Sequence, residues 1–244
     1  MTLIIAHRGY SALWPENSFQ SWSAAIEAGA DAIEIDIRFS EDGIAHCSHD
    51  ASLERLSGQK LRINEIISAD ILSVTINGEP VAPTFASALA LVPDQITLLL
   101  DIKDESEAAL SHLDKIVKKV TDVDIVLGLH AQDSVSYLAA LGHDRILGFI
   151  PCADEAEEFV TRGATLIRLW EIDATPERMA KLTAMNIPVW ISTGETGDEG
   201  RICGDYISGM LHEFRDAGAG GLLVNDPVKA RRELAASVSG GRER

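Results

Sequence analysis

Glu34 and Asp36 stand two residues apart in the stretch DAIEIDIR, and Asp101 and Lys103 repeat that spacing in LLLDIK. Side chains alternate sides along an extended strand, so the members of each pair share one face. Ile33, Ile35 and Ile37, with Leu100 and Ile102, fall on the opposite faces and suit packing against helices. Acids turned to the inside of a fold are costly unless paired or bound to a metal. Glu34 and Asp36 from one strand and Asp101 from another would make an all-oxygen site for one divalent cation, Mg2+ or Ca2+. Lys103 aims a positive charge at the same space. Upstream, His7 and Arg8 follow the apolar run Leu3–Ala6 with no polar transition, and His49 and Asp50 follow the first acidic stretch. Taken singly, each feature has a plain structural reading: an exposed strand face, a satisfied core histidine, a His-Asp turn. Their shared position at or near the ends of the first three strands argues for a site. His46, His112, His143 and His212 lack such company and read as structural or surface residues, as does His130, although it follows the fourth strand.

These groups need elements that bring them to one place. Short β-rich apolar runs occur at 3–6, 31–37, 96–102, 123–128, 145–150, 165–170, 187–192 and 220–224. Between most of them, segments 17–29, 105–121, 132–141, 154–162, 175–185, 207–217 and 227–237 carry helical spacing. Asn17 and Asp133 are candidate N-caps, and Thr175-Pro176 pairs a cap with proline at the first helical position. Gly29, Gly142 and Gly163 fall where helices should stop. Strand followed by helix, repeated, predicts parallel strands with right-handed crossovers. Eight such strands fit an α/β fold, a closed (β/α)8 TIM barrel, as a single domain over 1–244. An open doubly wound sheet is the alternative, but no Gly-rich dinucleotide loop follows the first strand. One interval breaks the rhythm. A helix is expected from Thr84 to Val92, and before it residues 38–83 read as an insertion over the C-terminal face of the barrel. That face carries the active site in this fold, so the insertion is a candidate lid or substrate wall.

Bulk properties narrow the partners. The chain has 244 residues, 46% of them hydrophobic, and a formal net charge of −17. So acidic a balance offers no basic patch for nucleic acid or an anionic membrane. A small anionic substrate would need a local cation instead. Cys47, Cys152 and Cys203 are odd in number and far apart, so they read as small apolar fillers rather than a disulfide framework. No apolar stretch approaches the roughly 20 residues of a membrane span. No secretory signal is visible, so a soluble, cytoplasmic protein without stable membrane association is expected. The terminus SVSGGRER reads as a frayed tail. Oligomeric state is not legible.

Several stretches together resemble the glycerophosphodiester phosphodiesterase family: AHRG at 6–9, PENS at 15–18, GADAIEIDIRFSEDG at 29–43, HD at 49–50 and LLLDIK at 98–103. Fainter matches are PVWIS at 188–192 and GAGGLLVNDP at 218–227. The resemblance implies a TIM barrel with one divalent ion, hydrolysing glycerophosphodiesters to glycerol 3-phosphate and an alcohol. It makes Glu34 and Asp36 resemble the first two metal ligands. The third is usually glutamate in the family and is Asp101 here, one methylene shorter; related sphingomyelinase-D-type enzymes place an aspartate there. Ser18 replaces a usual threonine, and Asn225-Asp226-Pro227 departs from TDxP. His7 and His49 match the family's acid/base pair, with Asp50 placed to orient His49. Arg8 and Lys103 would neutralise phosphoryl charge. Glu16 and Asn17, in the first loop, would touch the metal shell or the glycerol hydroxyls, and Trp190, with Trp14, would wall the substrate site. The alternative within this chemistry is a lysophospholipase-D or sphingomyelinase-D-like phosphodiesterase, which needs an apolar path for acyl chains. A silent binding barrel would lack one of the histidines or acids, and none is missing. A barrel enzyme that abstracts protons beside a carboxylate has no need of paired histidines.

Overall fold

The apolar runs pair side by side until the last meets the first, so that no inner strand keeps an open edge. The computed structural model describes residues 2–194 and 201–236; the tail expected to fray lies outside the described residues. The strands are β1 (Leu3–Ala6), β2 (Ala32–Phe39), β3 (Ala45–Cys47), β4 (Thr75–Ile76), β5 (Glu79–Pro80), β6 (Thr97–Ile102), β7 (Ile125–Leu129), β8 (Ile146–Phe149), β9 (Leu166–Trp170), β10 (Val189–Ser192) and β11 (Gly221–Val224). The parallel order β1-β11-β10-β9-β8-β7-β6-β2 closes through pairing of Ile5 with Ala32 and Ala6 with Ile33. Eight parallel strands therefore form the barrel, as the alternation predicts. The helices are α1 (Phe19–Glu27), α2 (Glu54–Ser57), α3 (Ser68–Ser73), α4 (Phe85–Leu91), α5 (Glu107–Val117), α6 (Gln132–Ala140), α7 (Ala156–Thr161), α8 (Pro176–Ala184), α9 (Met210–Asp216) and α10 (Pro227–Ala235).

Strand alternation divides the core in two. Ile33, Ile35, Ile37, Leu98, Leu100 and Ile102 face outward into the layer shared with the helices. Ile5, Ala32, Leu99, Val126, Leu147, Phe149, Leu166, Trp190 and Leu223 fill the lumen. The lumen is thus plugged with apolar side chains, and inward positions nearer the C-terminal strand ends are left for polar groups.

Two expected caps are corrected. Ser18, not Asn17, caps α1: its hydroxyl accepts from Ser21 N, while Ser21 Oγ accepts from Ser18 N. Asn17 is released for another task. Asp133 lies in the first turn of α6 behind Ala131, which offers no side-chain cap. Thr175 caps α8 ahead of Pro176 as expected. Gly29, Gly142 and Gly163 take positive φ at helix ends.

The expected insertion boundary also moves. Residues 38 and 39 still belong to β2, because Arg38 and Phe39 pair with His46 and Ala45 of antiparallel β3. Beyond β3 the segment has a small core of its own, Leu53, Ile63, Ile71, Val74 and Ala82. His46 pins it, with Nδ1 2.8 Å from Ala82 O and Nε2 2.8 Å from Ser68 Oγ. The apolar filler reading suits Cys47, which is buried; Cys152 is exposed and Cys203 is half-buried.

Candidate active site

Inward alternation on β2 and β6 brings Glu34, Asp36 and Asp101 together. One oxygen from each lies within 4.8 Å of the others, and all three side chains are buried. Register explains the closeness, since Asp36 and Asp101 are direct partners across the two strands. Arg8 and Lys103 hold these acids from two sides. Arg8 N donates to Glu34 Oε2 at 2.8 Å, and Arg8 Nε lies 3.2 Å from Asp36 Oδ2. Lys103 Nζ lies 2.6 Å from Asp101 Oδ2 and 3.0 Å from Asp36 Oδ1. Asn17 clamps Asp36 from below, donating from Nδ2 to Oδ2 at 2.7 Å and accepting from Asp36 N at 3.2 Å.

The first loop reaches this cluster through unusual backbone. Arg8 has φ 56° and Asn17 φ 51°, both in the left-handed region that side chains disfavour. Asn17 N donates to Arg8 O, tying the two strained residues together. Gly9 between β1 and the loop has φ 81°, and a Cβ there would sit 2.5 Å from Ser21 Oγ. The HRG triplet therefore needs its glycine for close approach to α1. Such strain persists only where surrounding contacts over-determine it.

Like charges in a dry site push the carboxyls apart in acidity. Burial, reinforced by Asp36 and Asp101, raises Glu34 well above the usual carboxylate range. Burial would raise Asp101 too, but His130 and Lys103 hold it well below its ordinary value. Lys103 is raised although burial opposes it, because Asp101, Asp36 and Glu34 surround it.

The two expected histidines lie at the ends of different elements. His7 Nδ1 is 2.9 Å from Asn225 Oδ1, and its Nε2 is 3.7 Å from Cys203 Sγ. Burial would lower His7, yet contacts with Cys203 and Asn225 raise it. His49 Nδ1 is 2.8 Å from Asp50 Oδ1, and Arg38 Nε donates to the His49 carbonyl at 2.9 Å. Glu16 serves as a bridge: it accepts from Arg8 at 3.1 Å and from Arg55 Nη2 at 2.6 Å. Arg55 also donates to Asp50 Oδ2. The first loop and the inserted segment are thus locked by one guanidinium.

Trp190 requires a correction. It is 3% exposed and belongs to the lumen plug beside Ile5 and Leu223, rather than to an open wall. Its ring lies where Gly221 leaves room, since a Cβ at Gly221 would come within 2.9 Å of the indole. Trp14 is exposed on the first loop. His130, read as structural, instead meets the acids, with Nε2 2.8 Å from Asp101 Oδ1 and its ring stacked 4.8 Å from Phe149. Its position at the end of the fourth barrel strand was the available signal. Asn225 was marked by the NDP departure from TDxP, whereas Arg55, Cys203 and Arg168 carried no signal beyond their positions after strands or in loops.

The donors fit a hard cation. They are all oxygen, buried and convergent, and Asp36 Oδ1 is buried with the Lys103 ion pair but no hydrogen bond. The site is thus a cluster of three carboxylates with two close cations and three histidines at the mouth of a closed β/α barrel. The glycerophosphoryl diester phosphodiesterase family matches residues 7–192, and the chain belongs to that family. A glycerophosphodiester phosphodiesterase of Bacillus altitudinis is 40% identical over 60 residues, covering 25% of this chain and 24% of that protein. The chain thus aligns with about a quarter of that relative's length. Among solved structures, a glycerophosphodiester phosphodiesterase from Thermotoga maritima superposes with a TM-score of 0.77 at 21% identity, over 95% of this chain and 98% of that one. An Oleispira antarctica phosphodiesterase, solved with the product sn-glycerol-3-phosphate, superposes at 0.80 and 18% identity, over 97% and 98%. Among the described residues no helix is long and apolar enough to cross a membrane.

Proposed function

We propose that the protein hydrolyses glycerophosphodiesters to glycerol 3-phosphate and an alcohol, with one divalent ion, Mg2+ or Ca2+, held by Glu34, Asp36 and Asp101. The observation that carries this reading is the convergence of those three buried carboxylates within 4.8 Å, with Arg8 and Lys103 on the same oxygens. When bound, the ion supplies Lewis acidity and positive charge for the phosphoryl oxygens.

This chain's own groups do the rest. The Nδ1 atoms of His7 and His49 are engaged by Asn225 and Asp50, so proton transfer falls to each Nε2, that of His7 lying 3.7 Å from the Cys203 thiol. One takes the proton of the attacking oxygen and the other delivers one to the leaving oxygen. Arg8 and Lys103 meet the charge that builds on the phosphoryl group. Asn17 keeps Asp36 in place, and Glu16 sets the Arg8 guanidinium. The inserted segment, which supplies His49 and Arg55, forms a wall of the site. The acidic balance and the free cysteines suit a cytoplasmic enzyme acting on small molecules rather than on nucleic acid or a membrane. The test is glycerol 3-phosphate release from a panel of glycerophosphodiesters, with and without chelator. Full turnover in excess EDTA removes the ion from the reading.

A second reading, a lysophospholipase-D-like enzyme, draws on apolar side chains in the loops after β1, β9 and β10. Leu13, Trp14, Ile172, Ile202 and Ile207 are exposed there. Equal or better turnover of a lysophospholipid than of its deacylated counterpart would favour it.

A further inference from the structure

Arg168 is 5% exposed, and among the described residues it forms no hydrogen bond and no ion pair. Its Nε and Nη1 atoms are both buried without a partner. It stands on β9, where Leu166 fills the lumen while Ile167 and Leu169 face outward, so Arg168 shares the inward face one layer nearer the mouth. In the ring of eight strands, β9 stands opposite β2, across the mouth from Glu34 and Asp36. Two aromatic rings fix its position: the guanidinium carbon lies 4.0 Å from the Trp170 ring and 5.0 Å from the Phe149 ring. Rings stabilise a cation's faces but leave its N–H groups unsatisfied. Desolvation lowers its pKa to about 10, so it stays charged at neutral pH.

The acids at the mouth take their close ion pairs from other cations, although Asp101 and Asp173 act on Arg168 through space. Glu34, Asp36 and Asp101 are met by Arg8 and Lys103, which together with a divalent ion also cover the single charge of a phosphodiester. Arg168 remains as a fixed, buried positive group on the far wall, with fork geometry suited to a carboxylate or phosphate.

We propose that Arg168 is a specificity-determining residue that recognises an anionic substituent, a carboxylate or phosphate, on the alcohol half of the diester and disfavours cationic head groups. This rests on the phosphodiesterase reading. An anion there would satisfy the unpaired guanidinium nitrogens, whereas a quaternary ammonium would meet a desolvated like charge, which weakens binding by tenfold or more.

The experiment compares kcat/KM for three glycerol phosphodiesters of similar size, the esters of 3-hydroxypropanoate, 1-propanol and choline. The expected order is carboxylate, then neutral, then cationic, with at least about tenfold between the first and last. In Arg168→Met the carboxylate-to-choline ratio should collapse toward unity. A ratio is unaffected by partial loss of folded enzyme, and the wild-type ranking needs no variant at all. A choline ester turned over as well as the carboxylate ester by the wild type would overturn the proposal, as would an unchanged ratio in Arg168→Met. Hydrolysis of none of the three esters would instead overturn the phosphodiesterase reading, and this inference with it.

Discussion

His7 Nδ1 lies 2.9 Å from Asn225 Oδ1, joining the ends of the first and last barrel strands through a catalytic candidate. The orientation of the Asn225 amide is fixed independently, because its Nδ2 donates to Cys203 O at 2.8 Å and to Asp205 Oδ1 at 3.1 Å. Its Oδ1 must therefore accept, and the His7 Nδ1 must carry hydrogen. That places the reactive lone pair, or the transferable proton, on Nε2. Asn225 is thus a positioning residue. Asn225→Leu should lower kcat by about 10- to 100-fold, as loss of such outer partners does elsewhere. A pH–rate profile separates this from mere misfolding: the limb assigned to His7 should move while the other stays.

His7→Ala and His49→Ala should each lower kcat by about 10²- to 10⁴-fold, the usual worth of general acid or base assistance. Thermal stability should change little for His49→Ala, because its ring is well exposed. Variants that turn over like the parent would refute the assignment.

Glu34→Gln tests the metal site without any assay of activity. Three buried acids repel one another, so a divalent ion that binds only the folded state should raise Tm in proportion to the logarithm of its concentration. Millimolar Mg2+ or Ca2+ should therefore stabilise the parent and leave Glu34→Gln unmoved. An equal shift in both proteins would sink the ligand assignment.

Part of this site could be read from sequence because strand geometry is simple. Acids two apart on β2 and β6 had to share a face, and the isoleucines and leucines between them named the other face as the packed one. Trp190 failed because its nearness to the seventh strand's end does not set its depth. Parity sends Trp190 inward, but only three-dimensional stagger decides whether an inward residue reaches the mouth or fills the plug. Asn17 was misread only as a cap, since a nearby serine offered an equally good one; its expected place at the metal shell agrees with its hydrogen bonds to Asp36. Arg168 and Arg55 come from distant parts of the chain, and no local pattern marks a cation that matters only through where the barrel closes.

Gly9→Ala should be costly although it adds a single methyl. The position combines φ 81° with a Cβ that would collide with Ser21 Oγ at 2.5 Å and Ser21 C at 2.7 Å. Backbone at a positive φ and a clash with a helix N-terminus both oppose the change, which should cost more than about 1 kcal/mol. Because Arg8 precedes it, activity should fall by a larger factor than stability alone predicts. Denaturant titration beside kcat measures both, and unaltered stability would show the clash to be relieved.

The Arg55 clamp makes a prediction about acid. Burial raises Glu16 and Asp50, but the Arg55 guanidinium, with Arg8 beside Glu16 and His49 beside Asp50, outweighs it and holds both carboxyls below their ordinary values. A depressed carboxyl adds stability above its unfolded pKa, and that stability disappears as pH falls through its folded value. The contribution is therefore full at neutral pH and fades below about pH 4, the unperturbed carboxylate range. The groups are partly exposed, so salt screens them and the effect is modest. Arg55→Met should lower Tm by at most about 2–4 °C near neutrality. The difference from the parent should shrink in high salt and vanish in acid. If the variant instead stays destabilised equally at pH 3 and pH 7, Arg55 acts through packing of its aliphatic stem and the ion-pair account of the clamp is wrong.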